Sequence, residues 1–224
     1  MTDRAIPLLL AALLLVPAGC GGADPHPRPE RAGKLVAAIG DSITAGTPFW
    51  DPNPALRARI PDPDPRGQWT YWAERSLPGA DFRNCGVPGE RTDEIAGRLE
   101  DCTENADVLI VQGGVNDLAQ GRDPASAARN LRAIVRRGKR FGLRVALVEL
   151  LPWNGGYPDA APAIDELNRR IARIGRDEDV PVLQWFDELE DPAHPDRMRL
   201  ELTSDLAHPS IAGYRRLGES VELP

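Results

Sequence analysis

The 224-residue sequence is poor in three residue classes: it has three cysteines, three histidines and only 5% aromatic residues. Three cysteines cannot staple a chain of this length, which excludes a disulfide scaffold and leaves the stability to a hydrophobic core. A formal charge of −7, from 27 basic and 34 acidic side chains, offers no positive stripe for phosphates and argues against a nucleic-acid partner. Intrinsic disorder is excluded as well, because a composition 42% hydrophobic and 27% charged is that of a globular domain. No apolar run reaches the length of about 20 residues that a membrane span takes.

The longest such run, Ile6 to Val16 (IPLLLAALLLV), has the length of a signal-peptide core and follows a short segment whose one basic side chain is Arg4. It ends in Pro17-Ala18-Gly19-Cys20, which resembles a bacterial lipobox, although Pro17 stands where leucine is usual and Asp3 cancels Arg4. The expectation is a signal peptide over 1–19, lipidation of Cys20 and a membrane anchor at the cell envelope. The alternative is ordinary cleavage and a freely secreted product. Residues 20–33 are rich in Pro and Gly and read as a tether, in which His26 is inert.

From residue 34 onward, short apolar runs alternate with helical patterns. The strand-like runs are Leu35 to Ile39, Asp81 to Cys85, Val108 to Gln112, Val145 to Leu151 and Val180 to Trp185. Helical stretches cover Gln68 to Leu77, Thr92 to Asp101, Pro124 to Phe141, Ala161 to Arg176 and Ile211 to Val221, with Thr92 as an N-cap and Gly142 as a stop. Trp69 and Trp72, at helical spacing, read as core. This alternation predicts an α/β fold, a three-layer α/β/α sandwich around a mostly parallel five-stranded sheet, with function at the carboxyl ends of the strands.

Polar motifs follow those runs. Gly40-Asp41-Ser42-Ile43-Thr44 comes after the first, and a serine there has its hydroxyl held at the sheet edge. The G-x-S-x-G elbow occurs nowhere in the chain. Asn84 to Glu90 follows the second run, and its Gly89 could bring a bare N–H to a ligand. Gly113-Gly114-Val115-Asn116-Asp117 follows the third. Near the C-terminus stands Asp205-Leu206-Ala207-His208-Pro209, in which a carboxylate three residues before a histidine can hold its Nδ1–H and leave Nε2 free as a base. Taken singly these segments are equally well helix caps and turns; their order and placement are what point to one site.

Together the four segments resemble the sequence blocks of the SGNH hydrolases, also called GDSL esterases and lipases, over Lys34 to the C-terminus. The resemblance implies the flavodoxin-like SGNH fold and assigns the nucleophile to Ser42, the base to His208 and its orienting carboxylate to Asp205. It implies an oxyanion hole from the N–H groups of Ser42 and Gly89 and the side chain of Asn116. Leu206 stands where the family commonly has glycine, a departure that bears on the backbone of that loop. The implied activity is serine-dependent hydrolysis of carboxylic esters of lipids, glycans or small metabolites, with no cofactor and no metal.

Two other readings share the site: an acyltransferase that passes the acyl group to an alcohol or sugar, and a surface lipoprotein that binds without turnover. A metal-dependent phosphoesterase could draw on Asp41, Asn116, Asp117 and His208, but such sites take several histidines, and only His194 and His208 remain outside the tether. Asp191-Pro192-Ala193-His194-Pro195 repeats the D-x-x-H-P pattern, so His194 is a rival base; the amphipathic segment with Gly213-Tyr214 after His208 favours His208. The proline-rich segment Thr47 to Gly67 reads as irregular and as a wall of the substrate entrance, with Trp50 on one lip and Trp153 and Asn154 on the other; loop packing explains the tryptophans equally well. A continuous helix over Thr92 to Asp101 would carry Cys102 about 15 Å along its axis, whereas a bridge to Cys85 needs Cα atoms within about 7 Å. Whether these two cysteines pair thus stays open. No apolar helix stripe is left over after core packing, so a monomer is expected.

Overall fold

The computed structural model describes residues 33–224. The expected signal peptide, Cys20, His26 and most of the tether lie outside the described residues. Five strands, β1 (Lys34–Gly40), β2 (Ala80–Gly86), β3 (Val108–Val111), β4 (Arg144–Val148) and β5 (Val182–Leu183), form one sheet in the order β2-β1-β3-β4-β5. Every pairing in it is parallel. The helices are α1 (Ser42–Ala45), α2 (Pro54–Arg57), α3 (Trp69–Ser76), α4 (Thr92–Gly97), α5 (Leu99–Thr103), α6 (Val115–Ala119), α7 (Pro124–Arg140), α8 (Ala161–Glu178), α9 (Trp185–Leu189) and α10 (Ile211–Glu219).

Alternation along the strands divides the core in two. Leu35, Ala37 and Ile39 of β1 and Leu109 and Val111 of β3 pack with Ile95, Leu99, Leu131, Ile134, Leu167 and Ile171 from α4, α5, α7 and α8. The intervening Val36, Ala38, Val108 and Ile110 face Trp69, Trp185, Tyr214 and Leu217 from α3, α9 and α10. Both sheet faces are therefore covered, which is why the strands read as continuous apolar runs.

The long helix α7 shows how local chemistry sets an element. Asp123 caps it by accepting from Ala125 N at 3.1 Å, Pro124 opens it, and Gly142 ends it at φ +77°. Its buried face, Ala127, Leu131, Ile134 and Val135, recurs at helical spacing. Its outer cations meet carboxylates of neighbouring helices, Arg132 with Asp177, Arg136 with Glu178 and Arg137 with Glu100.

Several expectations are corrected. The helix expected over Thr92 to Asp101 breaks at Arg98 into α4 and α5, and the fifth strand shrinks to two residues because Trp185 opens α9. The segment 47–67 is not wholly irregular, since it carries α2 and a 3₁₀ turn at Pro65–Gly67. A hairpin of β6 (Glu190–Asp191) and β7 (His194–Met198), antiparallel, lies where no strand is expected, because HPDRM has no apolar alternation. Trp69 is fully buried, but Trp72 sits at the core's margin, its indole N–H bonded to Arg66 O.

Candidate active site

The carboxyl ends of β1, β2 and β3 converge on Ser42. β1 runs into Asp41, whose Oδ1 accepts from Ile43 N at 2.9 Å and so caps α1, with Ser42 as its first residue. Gly40 is required by close approach: a Cβ there would collide with Thr44 Oγ1 and Gln112 Oε1. Gln112, at the end of β3, locks the turn by accepting from Asp41 N at 3.2 Å and from Thr44 Oγ1 at 2.8 Å. Asn84 of β2 donates to Thr44 O at 2.7 Å and accepts from Gly86 N at 2.9 Å. The serine is thus fixed by a buried amide, Gln112, and a half-buried one, Asn84, on the neighbouring strands, and is itself 8% exposed.

The structure brings His208 and Asp205 to this serine. His208 Nε2 lies 3.0 Å from Ser42 Oγ, and His208 Nδ1 lies 2.7 Å from Asp205 Oδ2. The other carboxylate oxygen accepts from Ala207 N at 3.0 Å and His208 N at 2.7 Å. That turn forces Leu206 to φ +68°, a left-handed backbone that glycine takes freely. The loop is held at its base by the Thr203 to Pro209 bridge, and Tyr214 of α10 donates to Thr47 O at 2.7 Å, tying the last helix to the segment after α1. Burial alone tends to raise the pKa of Asp205, but the hydrogen bonds from His208 and the two N–H groups outweigh it, so the carboxyl is held below its ordinary value. Asp41 behaves oppositely: burial pushes its pKa from 3.8 up to about 6 against the pull of the Ile43 N–H. Its Oδ2 has no hydrogen-bond partner among the described residues.

Alongside the serine turn runs the loop after β2, whose Val87 N donates to Gly40 O at 3.0 Å. Gly89 has φ +84°, so a side chain there would be strained. Neither Ser42 N nor Gly89 N has an acceptor among the described residues. Asn116, in α6, donates one amide hydrogen to Glu90 O at 2.9 Å and keeps the other. This is a set of donors that a developing oxyanion could use. Next to it Asp117 is fully buried and accepts from Thr92 N at 2.9 Å and Thr92 Oγ1 at 2.8 Å. Thr92 is therefore not the N-cap of α4: Arg91 holds that position, and the Asp117 carboxylate satisfies the helix start from outside.

Sequence reasoning missed Arg98. Standing at the break between α4 and α5, it pairs with Glu90 at 2.6 Å and donates to Cys85 O at 2.9 Å and Gly40 O at 3.2 Å. It pins the Gly89 loop to the ends of β1 and β2. The break also turns Cys102 back, so that its sulfur is bonded to that of Cys85 with Cα atoms 6.0 Å apart. A lone arginine inside a helical pattern carries no sequence signal for such a role; Gln112 and Asn84, amides beside the GDS turn, at least lie within the motif segments.

Of the other candidate residues, Asn154 and His194 border, with Leu206, a cavity beside the His208 turn. Trp50 lies beside α1, its backbone N–H donating to Gly46 O at 2.9 Å and its ring 4.4 Å under the Arg57 guanidinium. Trp153 packs against the core. The side chain of Asn154 clamps β7, donating to Met198 O at 2.8 Å and accepting from Met198 N at 2.6 Å. His194 pairs with Asp191 at 2.8 Å and has no serine as a partner among the described residues.

Solved structures that resemble this one include a member of the lipolytic protein G-D-S-L family from Veillonella parvula, a GDSL-like lipase from Bacteroides thetaiotaomicron and a lipase/acylhydrolase from Enterococcus faecalis. The first superposes with a TM-score of 0.67 at 18% identity, covering 84% of this chain and 96% of the other. For the second the values are 0.66, 19%, 86% and 88%, and for the third 0.64, 23%, 84% and 92%. At such identities the likeness is one of fold. No curated protein matches the sequence significantly. The profile of the GDSL-like Lipase/Acylhydrolase family, however, matches residues 38–216, from within β1 to within α10, and thereby spans every segment that meets at Ser42. The chain belongs to the GDSL-like lipase/acylhydrolase family.

Proposed function

We propose that the protein is a serine carboxylic-ester hydrolase, and the observation that carries this reading is the 3.0 Å contact of His208 Nε2 with Ser42 Oγ, backed by Asp205. Ser42 Oγ attacks the ester carbonyl carbon while its proton passes to His208 Nε2. The N–H groups of Ser42 and Gly89 and the free amide hydrogen of Asn116 hold the oxyanion. The alcohol leaves with the proton from His208, and a water molecule, activated by the same imidazole, releases the acid. Asp205, held as a carboxylate, fixes the imidazole tautomer.

The test is hydrolysis of p-nitrophenyl esters from acetate to palmitate by the full chain and by Ser42→Ala. Activity present in the first and absent in the second is expected; turnover that survives the substitution would refute the serine mechanism. We further propose that the protein is exported and anchored through a lipid on Cys20. Fatty-acid labelling that disappears in Cys20→Ser is the expected result, and an unlabelled, freely released product would contradict the anchor.

A further inference from the structure

The turn that presents His208 contains a residue that its fold does not reward. Leu206 holds φ +68°, a backbone that costs a leucine and costs a glycine nothing. The conformation is dictated from outside, by the Asp205 bonds to the next two N–H groups and by Gly155 N donating to Leu206 O at 2.8 Å. The side chain belongs to neither core cluster and is 48% exposed. Strain and exposed apolar surface therefore coincide at one position, next to the candidate base.

That side chain lines a cavity of about 370 Å³, a size that accommodates a small ligand. Its other walls include Leu200, 72% exposed, and Met198, whose backbone is clamped by Asn154. Polar walls are the Asp191–His194 pair, the Asn154 amide bonded to Met198 and the Arg197 guanidinium, which lies over the Tyr157 ring at 4.4 Å. Most of the surface the cavity offers is apolar, supplied by Met198, Leu200 and Leu206.

The chemistry says which half of an ester would meet it. On the proposed hydrolase reading, the Ser42 Oγ–carbonyl carbon bond forms, the bond from that carbon to the alcohol oxygen breaks, and His208 Nε2 gives the alkoxide its proton. The alcohol therefore departs on the side of the His208 turn, whereas the carbonyl oxygen turns toward Gly89 and Asn116. We propose that the cavity beyond Leu206 is the subsite for the alcohol half of the ester, that it selects apolar alcohols over compact ones, and that Leu206 determines this selectivity. This inference rests on the hydrolase reading and adds the class of alcohol to it.

The test compares hexyl acetate with ethyl acetate, which share the acyl group, by acid release from the full chain, Leu206→Gly and Leu200→Ala. The kcat/KM ratio of hexyl to ethyl acetate is expected to be at least about tenfold, since each methylene added in an apolar pocket can contribute that much. It should collapse toward one in Leu206→Gly and fall in Leu200→Ala. The ratio of ethyl hexanoate to ethyl acetate, which reports on the acyl side, should move far less, and thermal stability of Leu206→Gly should not drop. A merely structural role would lower all three esters together. Ser42-dependent hydrolysis with a hexyl-to-ethyl ratio near one, or a ratio unmoved by Leu206→Gly, would overturn the subsite and leave the hydrolase reading intact. Absence of Ser42-dependent hydrolysis on every ester would overturn both.

Discussion

Asp191-Pro192-Ala193-His194-Pro195 and Asp205-Leu206-Ala207-His208-Pro209 have the same spacing and form the same Asp–His pair on different backbones, since Leu206 is left-handed and the Pro192 ring holds its φ negative. In each, one aspartate oxygen accepts from the alanine N–H at 3.0 Å. The other lies 2.8 Å from histidine Nδ1 in the first segment and 2.7 Å in the second. Both carboxyls are held below their ordinary pKa, Asp191 by His194 first of all, and Asp205 by hydrogen bonds that overcome its burial. The difference lies in the surroundings. The His194 side chain is 64% exposed on a hairpin, while that of His208 is 21% exposed and meets Ser42, 166 residues away in sequence. Three residues of chain suffice to make an Asp–His pair; only the sheet, by bringing the end of β1 to the last loop, can make it into a site.

The comparison breaks if the two histidines prove equivalent. His208→Ala should lower kcat by about five to six powers of ten, as loss of a base acting as a unit with its nucleophile does. His194→Ala should fall short of the roughly hundredfold loss that removing a general base causes at the least. Ester hydrolysis by the two purified variants decides between them. The carboxylates sharpen the contrast: Asp205→Asn should cost about 10⁴ in kcat by releasing the wrong tautomer, and Asp191→Asn should show no comparable loss in the same assay. A smaller effect marks what the hairpin lacks altogether, a donor for the oxyanion. Asn116→Ala should reduce kcat by about 10² to 10³, with KM nearly unchanged; an unaltered rate would remove Asn116 from the site.

A third carboxylate without a histidine, Asp41, gives the smallest effect, in stability. Because burial raises its pKa from 3.8 to about 6, its contribution is fully present below pH 3.8 and is lost as pH rises through 6. The loss corresponds to roughly 3 kcal/mol. Asp41→Asn keeps the cap acceptor and carries no charge, so its urea midpoint should gain on the wild type between pH 4 and pH 7.5. Identical pH dependence of the two proteins would show that Asp41 is not strained by its burial.

The parts of the fold that were legible are those made by local periodicity. The first three strands and the helices α7, α8 and α10 follow apolar patterns and end within about two residues of expectation, the usual uncertainty of helix ends. The motif order also pointed to the segments after β1, β2 and β3 and to the last loop, and the structure brings Ser42, His208 and Asp205 within hydrogen-bonding distance there. What stayed hidden depends on distant partners. Thr92 looks like a cap until Asp117 is seen beside it, Asn154 looks like a free amide until β7 closes on it, and Arg98 looks like a helix surface until Glu90 and Gly40 surround it. The Cys85–Cys102 pairing turned on the same break at Arg98, which no propensity marks.

Arg98 also limits how this molecule can be re-engineered. The segment carrying Gly89 is short and partly exposed, and looks like a cassette that could be exchanged for its counterpart from another member of the family. It is not self-contained, because its position is set by a guanidinium that belongs to the following helices and grips Glu90 on one side and the carbonyls of Cys85 and Gly40 on the other. A transplanted loop would arrive without its anchor unless the glutamate and the arginine travelled with it as a matched pair.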